Sequence, residues 1–314
     1  MTTVAAVMMV RNEANIIADC AAHLLHGLAV DRLLVADNGS TDGTPAILRR
    51  IAAGDRRVQV TSVPGHFSQP EVMNALIGQA VAGGADWILP NDADEFLWLR
   101  GTSLRALCAG SPAVGGYRLP VRNFVQLRGV ARDHPGSLET MLFSARPQGS
   151  EGEAQALVTT SAIPFLRMHY PPKLLLRATA GLRLHRGQHR ADGALGPLLP
   201  LRQGEMLHAP IRARDDLASR VEHGRRLRAV APEPGTGWHL KRLLHLDETG
   251  LQAEWDGNSV GFDRWRPAPG FQLDLRLCRL AWRLRPHRRR ALGGGGTGPR
   301  WVGQGRFARR ATGG

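Results

Sequence analysis

Residues 3–90 alternate between short apolar runs and longer segments with helical spacing, and this alternation limits the folds open to the chain. The apolar runs are typical of buried strands and lie at 3–10, 30–37, 58–63 and 86–90. The segments between them are predicted helices, at 13–28, 45–54 and 71–84. Such an order predicts an α/β fold in which helices flank a mixed, mainly parallel sheet.

Beyond residue 100 the pattern is less regular. Strands are predicted within 115–127 and 171–190, and a helix at 212–230. We therefore expect one α/β domain with two halves, a helical C-terminal extension and a Gly- and Arg-rich disordered tail. The predicted bounds of these four parts are 1–100, 101–235, 236–285 and 286–314.

The composition is that expected of a cytoplasmic protein. The three cysteines, Cys20, Cys108 and Cys278, are scattered and form no CxxC pair, so neither a disulfide framework nor a thiolate zinc site is indicated. A reducing compartment fits this cysteine usage best. The first residues lack the basic leader of a signal peptide, and no apolar run is long enough for a transmembrane helix.

The net charge of +14 is concentrated at the C-terminal end. Residues 264–314 contain thirteen arginines and one acidic residue, which leaves about +2 for the preceding 263 residues. This distribution indicates a basic appendage, and a nucleic-acid partner is not expected. Residues 271–290 form a predicted basic amphipathic helix, which either contacts an anionic membrane at its inner face or packs on the domain.

Polar clusters follow three of the predicted strands: "RNE", "DNGSTD" and "NDADE". Since ligands of parallel sheets bind where the strands end, these clusters predict one site. In the third cluster, Asp92 and Asp94 offer oxygen ligands of the kind that Mn²⁺ and Mg²⁺ prefer. A solvated acidic turn is the alternative reading of this spacing.

The segments "VMMVRNEANII", "LLVADNGSTDGT" and "ILPNDADEFLW" together resemble the amino-terminal half of family-2-type glycosyltransferases with the GT-A fold. The resemblance is specific over about residues 3–100, is looser to about residue 225, and is strongest to a subgroup with an "RNE" start and a "DxDEF" motif. It implies an inverting, metal-dependent transfer from a nucleotide-diphosphate sugar to a saccharide or lipid-linked acceptor, in bacterial-type polysaccharide or glycoconjugate synthesis.

The resemblance also assigns roles to single positions. It implies nucleotide contacts from Arg11, Asn12, Glu13, Asp37, Asn38, Gln69, Asn74 and Asp92. Gln69 and Asn74 are read equally well as part of a plain helix start. The implied metal ligands are Asp92, Asp94 and His208, the last through an imidazole nitrogen. The alternative for His208 is a polar histidine in a loop.

The catalytic base is the least defined position. Glu95 and Asp192 are the candidates, and Glu95 could instead be a structural acid. Further candidates are Asp133, Glu139 and Glu205. His185 and His189 form either a helical metal pair or, as we favour, a loop that contacts acceptor or phosphate.

Two other functions remain open from the sequence. A sugar-phosphate nucleotidyltransferase would favour a glycine-rich loop after the first strand, where this chain has "RNEAN". A nucleic-acid-binding protein would act through the basic tail, 286–314.

Overall fold

The structure, a computed structural model, describes residues 1–63, 65, 68–110, 113–129, 138–230, 237–263 and 266–293. The α-helices of this part of the chain are α1 (Ile17–Ala22), α2 (Thr44–Gly54), α3 (Gln69–Ala82), α4 (Leu104–Ala109), α5 (Ala154–Thr159), α6 (Asp216–Val230), α7 (Trp238–Lys241), α8 (Glu248–Gly257) and α9 (Arg276–Ala291). A π-helical turn spans His23–Gly27, and short 3-10 helices span Leu138–Thr140, Phe165–Arg167, Arg186–Gln188 and Arg242–His245.

The strands are short and are numbered in chain order. They are β1 (Val4–Val10), β2 (Arg32–Asp37), β3 (Val58–Ser62), β4 (Trp87–Pro90), β5 (Glu95–Leu99), β6 (Gly116–Leu119), β7 (Val121–Leu127), β8 (Phe143–Ala145), β9 (Lys173–Arg177), β10 (Arg183–Leu184), β11 (Ala191–Asp192), β12 (Leu198–Pro200), β13 (Gly204–His208), β14 (Ser259–Val260), β15 (Phe262–Asp263), β16 (Arg266–Pro267) and β17 (Phe271–Leu273).

The first four strands form the predicted parallel sheet, in the spatial order β3-β2-β1-β4. Beyond β4 the sheet continues with β9, which runs antiparallel to its two neighbours, β4 and β6. β12 lies at the edge and runs parallel to β6. The mixed, mainly parallel α/β fold expected from the sequence is therefore confirmed. Because the chain moves outward from β1 to β3 and then returns to place β4 on the other side of β1, the crevice beside β1 is the topological switch point.

Both faces of β1 are buried, as its uninterrupted apolar sequence requires. Alternate side chains point to opposite faces of a strand. Met8 accordingly packs in the core beneath α1, α2 and α9, whereas Val7 packs against Met73 and Ile77 of α3. The parallel sheet is thus held between two helical layers, and the carboxyl ends of its strands are left free to form a site.

A second sheet places residues from the later half of the chain next to the turn that contains Asp92 and Asp94. Its strand order is β17-β8-β7-β13-β5, with β14 also paired to β7. β13 lies antiparallel to β5 and parallel to β7, and this register sets His208 opposite Glu95 on one side and Asn123 on the other. The pairing brings His208 next to the turn that precedes β5.

The basic C-terminal helix packs on the domain. Leu277, Ala281 and Leu284 of α9 are buried in the core that α1 and α2 share. Leu273, which falls within the helix predicted over 271–290, instead lies in β17 and is 65% exposed.

Two predicted boundaries near the C-terminal end are wrong. The basic helix was expected over 271–290, but α9 begins at Arg276. The segment 286–314 was expected to be disordered, but α9 continues through Pro286 to Ala291. Past the proline, Arg288 contacts Asp19 and Glu139 and Ala291 packs against the core, which holds the last turn of the helix in place. Residues 294–314 lie outside the described residues. Among the helices that the structure describes, none has the length and apolar character needed to span a bilayer.

Candidate active site

The loops that follow β1 and β2 are joined by hydrogen bonds. The backbone N–H of Asn12 donates to Ser40 Oγ (2.9 Å), and Asn12 Oδ1 accepts from the N–H of Thr41 (2.8 Å). Arg11 Nη1 donates to the carbonyl of Asn38 (2.6 Å). Asn12 has a left-handed backbone conformation with φ 54°, which asparagine tolerates better than most residues. "RNE" and "DNGST" therefore form one wall of the crevice.

Asp37 and Asn38 are buried where β2 ends. Asp37 Oδ1 accepts from the N–H (3.1 Å) and the hydroxyl (2.5 Å) of Ser40, which fixes the turn. Neither side-chain amide atom of Asn38 has a hydrogen-bond partner among the described residues. Since an unpaired buried polar group costs about 1–3 kcal/mol, Asn38 has hydrogen-bonding capacity that a ligand could use.

Asp94 and His208 lie side by side at the same edge of the sheet. His208 Nε2 is 3.6 Å from Asp94 Oδ2, and the two side chains are only 6% and 18% exposed. The carbonyl of Asp94 also accepts from the N–H of Ala209 (2.8 Å), which ties the acidic turn to the end of β13. The predicted partnership of these two residues is thus present as a contact.

Arg212 is a buried cation beside this pair, four residues after His208. Its Nη2 lies 3.5 Å from Glu13 Oε2 and donates to Asn15 Oδ1 (3.0 Å). Its N–H donates to Asp216 Oδ2 (2.7 Å) at the start of α6. The guanidinium therefore connects the loop after β1 with the segment after β13.

These charges decide the protonation of the two site carboxyls. Burial opposes ionisation of Asp94, but His208, Arg212 and Arg220 outweigh it and hold the pKa of Asp94 well below its usual range. Burial raises the pKa of Glu13 to about 8, with Asp94 adding to the shift and Arg212 opposing it. Burial and the neighbouring charges thus shift the pKa values of these two carboxyls in opposite directions.

Asp92 faces a different set of partners. Its Oδ2 lies 2.7 Å from Lys173 Nζ, and its Oδ1 accepts from Gln188 Nε2 (2.7 Å). Within the described residues, no three His, Cys, Asp or Glu side chains are grouped so that they could hold a metal ion. The predicted set of Asp92, Asp94 and His208 is therefore not assembled, because Lys173 and Gln188 occupy both oxygens of Asp92.

Glu95 is a buried partner of the same lysine. Lys173 Nζ lies 2.9 Å from Glu95 Oε1, and Glu95 Oε2 accepts from the N–H of Asp92 (3.1 Å). Burial works against the charge of Lys173, but Asp92 and Glu95 raise its pKa above its usual range. This environment favours the structural role that the sequence left open for Glu95.

The other candidate base, Asp192, is exposed. It lies on the hairpin of β10 and β11, its side chain is 75% exposed, and its Oδ2 is 2.9 Å from His185 Nε2. Glu139 and Glu205, by contrast, are bound by Arg288 (2.6 Å) and Arg276 (2.6 Å). Asp133 lies outside the described residues.

Gln69 and Asn74 hold this hairpin through its first strand and its turn. Gln69 Oε1 accepts from the N–H of Gly187 (3.1 Å), and Asn74 bonds both the N–H (2.7 Å) and the carbonyl (3.1 Å) of Leu184. These contacts give both side chains a structural role.

His185 and His189 do not form the helical pair that one reading of the sequence allowed. A short 3-10 turn lies between them, with Gly187 in a left-handed conformation (φ 78°). His189 Nδ1 instead lies 3.1 Å from the carbonyl of Pro172.

Sequence analysis missed Arg212, Gln188 and Asn123. Gln188 and Asn123 contact Asp92 and His208 from distant parts of the chain, and no local pattern marks them. Arg212 had a weak signal, because it follows the predicted ligand His208 and precedes two consecutive acids.

Comparison with known proteins bears on the same part of the chain. Residues 5–97 match the model of the family described as "Glycosyl transferase family 2". This segment holds β1 to β4 and most of β5, together with the three polar clusters. The match supports the family resemblance read from the sequence, whereas the subgroup with the "DxDEF" motif stays a prediction.

The chain is also similar to a protein of known sequence over a short segment. A TPR repeat-containing protein of Synechococcus elongatus is 38% identical over 108 residues, which are 34% of this chain and 24% of that protein. The chain thus matches about a quarter of that relative's length.

Among solved structures, a mannosyltransferase of Pyrobaculum calidifontis, in complex with GDP-Man and Mn²⁺, is 16% identical with a TM-score of 0.40, over 81% of this chain and 72% of that one. A glucosyl-3-phosphoglycerate synthase of Mycobacterium tuberculosis, in complex with Mn²⁺, UDP and phosphoglyceric acid, is 20% identical with a TM-score of 0.35, over 79% and 80% of the two chains.

Proposed function

We propose that this protein is a glycosyltransferase that moves a sugar from a nucleotide-diphosphate sugar to an acceptor hydroxyl, with a divalent cation and with inversion. The observation that carries the proposal is the contact of Asp94 with His208 at the switch-point edge of the sheet, 3.6 Å apart. The match of residues 5–97 to the family 2 model supports the reaction class.

The donor would bind in the crevice between β1 and β4. The loop of Arg11, Asn12 and Glu13 and the turn of Asp37 and Asn38 form its wall. The unsatisfied amide of Asn38 suits the edge of a nucleobase, which presents both donors and acceptors. The implied nucleotide contacts of Gln69, Asn74 and Asp92 stay predictions, since all three side chains are engaged with protein.

Asp94 and His208 would hold the cation. One carboxylate oxygen and one imidazole nitrogen suit Mn²⁺ and leave coordination positions for diphosphate oxygens and water. A cation there would stabilise the charge that develops on the departing nucleoside diphosphate. Arg212 contributes a fixed positive charge in the same crevice, and fixed charges act without reorganisation during the reaction.

The acceptor hydroxyl must lose a proton as it attacks. Of the two predicted bases, Glu95 is enclosed with Lys173 and has no exposed surface, so it is poorly placed to meet an acceptor. Asp192 is accessible, and His185 at 2.9 Å orients its carboxylate. We therefore assign the proton-accepting role to Asp192.

Thermal unfolding with sugar nucleotides tests the proposal. UDP-, GDP-, CMP- and dTDP-sugars are screened with and without Mn²⁺, and one nucleotide should raise the melting temperature only with the metal. Ligand at a hundredfold excess over its Kd stabilises by about 2.7 kcal/mol. In Asp94→Ala the rise in melting temperature that depends on the metal should vanish, and the turnover rate should fall by about 100-fold or more.

Glu222→Gln is the matched control, because it removes an exposed acid that pairs only with Arg225 in the same helix among the described contacts. It should keep the full metal-dependent shift. Equal stabilisation of Asp94→Ala and the parent protein would refute the metal role, and no response to any sugar nucleotide would refute the donor class.

A peripheral contact with an anionic membrane, on the cytoplasmic face, is part of the proposal. The outer stripe of α9 exposes Arg279, Arg283, Arg289 and Arg290, together with Trp282, which is 58% exposed. Basic side chains around an exposed tryptophan suit an anionic lipid surface. The fraction of protein that sediments with phosphatidylserine vesicles should fall sharply in the double variant Arg279→Glu/Arg283→Glu. An unchanged fraction in this variant, or no sedimentation of the parent protein, would exclude the contact.

A further inference from the structure

A row of three side chains crosses the second sheet beside the candidate metal ligands. The register of β5, β13 and β7 sets Glu95, His208 and Asn123 opposite one another. Neighbouring residues in such a row point to the same face of a sheet. Asn123 Oδ1 lies 2.8 Å from His208 Nδ1, and both side chains are buried.

The orientation of the Asn123 amide is fixed from its other side. Its Nδ2 donates to the carbonyl of Leu166 (3.0 Å), and a carbonyl can only accept. The N–H of Leu166 in turn donates to Asn258 Oδ1 (2.7 Å), and Asn258 Nδ2 donates to the carbonyl of Glu254 (2.8 Å). Each amide in this relay has one orientation that satisfies its partners, so Asn123 must turn its oxygen toward His208.

This orientation sets the tautomer of the histidine. Because Asn123 Oδ1 is an acceptor, His208 Nδ1 must carry the hydrogen between them. In the neutral ring, Nε2 then presents a lone pair toward Asp94 Oδ2, 3.6 Å away. The ring of Tyr170 packs 4.9 Å from that of His208 and limits its rotation.

We propose that Asn123 is a positioning residue that holds His208 in the Nδ1–H tautomer, so that Nε2 faces Asp94 as a cation ligand. The inference rests on the proposed function. The opposite tautomer would donate from Nε2 to Asp94 and would engage both atoms that the cation needs. Partners of this kind orient ligating histidines and set their tautomer.

The relay lies outside the family match. Asn123, Leu166 and Asn258 all follow residue 97, where that match ends. The relay thereby connects the C-terminal segment around α8 with a residue on β13.

Nitrogen NMR of the metal-free protein tests the tautomer directly. His208 is assigned by comparison with His208→Gln, and the spectra are recorded at a pH at which the ring carries a single proton. The parent protein should show a protonated Nδ1 and an unprotonated Nε2. In Asn123→Leu the proton should move to Nε2. A protonated Nε2 in the parent, or an unchanged tautomer in folded Asn123→Leu, would overturn the proposal.

Two further variants separate positioning from stability. Asn258→Ala breaks the far end of the relay, so it should lower stability but keep the parent tautomer. Asn123→Asp keeps an oxygen facing His208 Nδ1, so it should also keep the parent tautomer of His208. This variant leaves the proposal testable if Asn123→Leu does not fold. A change of tautomer in Asn123→Asp would count against the proposal.

Mn²⁺ binding, followed by electron paramagnetic resonance without substrate, gives the functional consequence. Asn123→Leu should weaken binding by about 10- to 100-fold, whereas Asn258→Ala should bind like the parent. If the parent binds no Mn²⁺, the proposed metal site fails, and the NMR result still decides the role of Asn123.

Discussion

Lys173 is a cation enclosed between two acids of the turn that precedes β5. Its Nζ lies 2.7 Å from Asp92 and 2.9 Å from Glu95, and its side chain is only 4% exposed. Its burial gives it a structural role, because it neutralises two carboxylates that would otherwise repel each other next to the site.

Replacement of Lys173 by Met should destabilise the fold by about 3–5 kcal/mol, because the buried Glu95 and the partly exposed Asp92 lose their counter-charge. Lys241→Met, at the only other lysine of the chain, is the matched control and should cost at most about 1 kcal/mol. Urea unfolding measures both. Equal losses in the two variants would show that the buried ion pairs are not needed for stability.

His23 should make the fold sensitive to mild acid. Its Nε2 lies 3.1 Å from the carbonyl of Leu97, and burial lowers its pKa to about 4. The unfolded chain takes up a proton at about pH 6.5, so this contribution to stability is present above pH 6.5 and is lost as the pH falls toward 4. Between pH 7 and 5 the loss from this residue is about 2 kcal/mol.

His23→Gln keeps a donor for Leu97 but cannot titrate. The stability deficit of this variant relative to the parent should therefore shrink between pH 7 and pH 5, as measured by denaturant unfolding at each pH. A deficit that is the same at both pH values would contradict the assignment.

At the scale of elements, α9 shows what helical spacing predicts and what it leaves open. The apolar spacing correctly predicted a helix with one apolar face, and Leu277 and Leu284 lie on that face. The spacing could not decide what this face contacts, since a domain core and a membrane demand the same pattern. Arg288 belongs to the docked side, where it bonds Asp19 (3.1 Å) and Glu139 (2.6 Å).

Arg288→Met should destabilise the protein by about 3 kcal/mol, because it leaves Asp19 buried without its counter-charge. The neighbouring Arg289 is exposed on the outer stripe, so Arg289→Met should change stability by less than about 0.5 kcal/mol. Thermal unfolding compares the two variants. A similar effect of both would mean that α9 is not anchored through Arg288.

At the scale of the whole molecule, the sequence predicted the part of the fold in which strands and helices follow one another directly along the chain. The alternation in residues 3–90 predicted the parallel sheet, and the ends of its strands predicted where Asp37 and Asp94 lie. The pairing of β5 with β13 could not be predicted, because more than a hundred residues separate them and "GEMLH" does not specify its neighbour. Arg212 follows β13, and Asn123 lies on β7, which pairs with the other side of β13, so both residues enter the site through β13.

The central claim is that Asp94 and His208 hold a divalent cation that meets a nucleoside diphosphate at the end of β1 and β4. Crystals grown with Mn²⁺ and the nucleotide found in the thermal screen test it through anomalous scattering at the manganese edge. We predict one peak bonded to Asp94 Oδ2 and His208 Nε2, at the roughly 2.0–2.2 Å usual for nitrogen and oxygen ligands of such ions, with diphosphate oxygens beside it. A manganese peak bound elsewhere, or a nucleotide seated away from Asp37 and Asn38 with no metal at Asp94, would contradict the account.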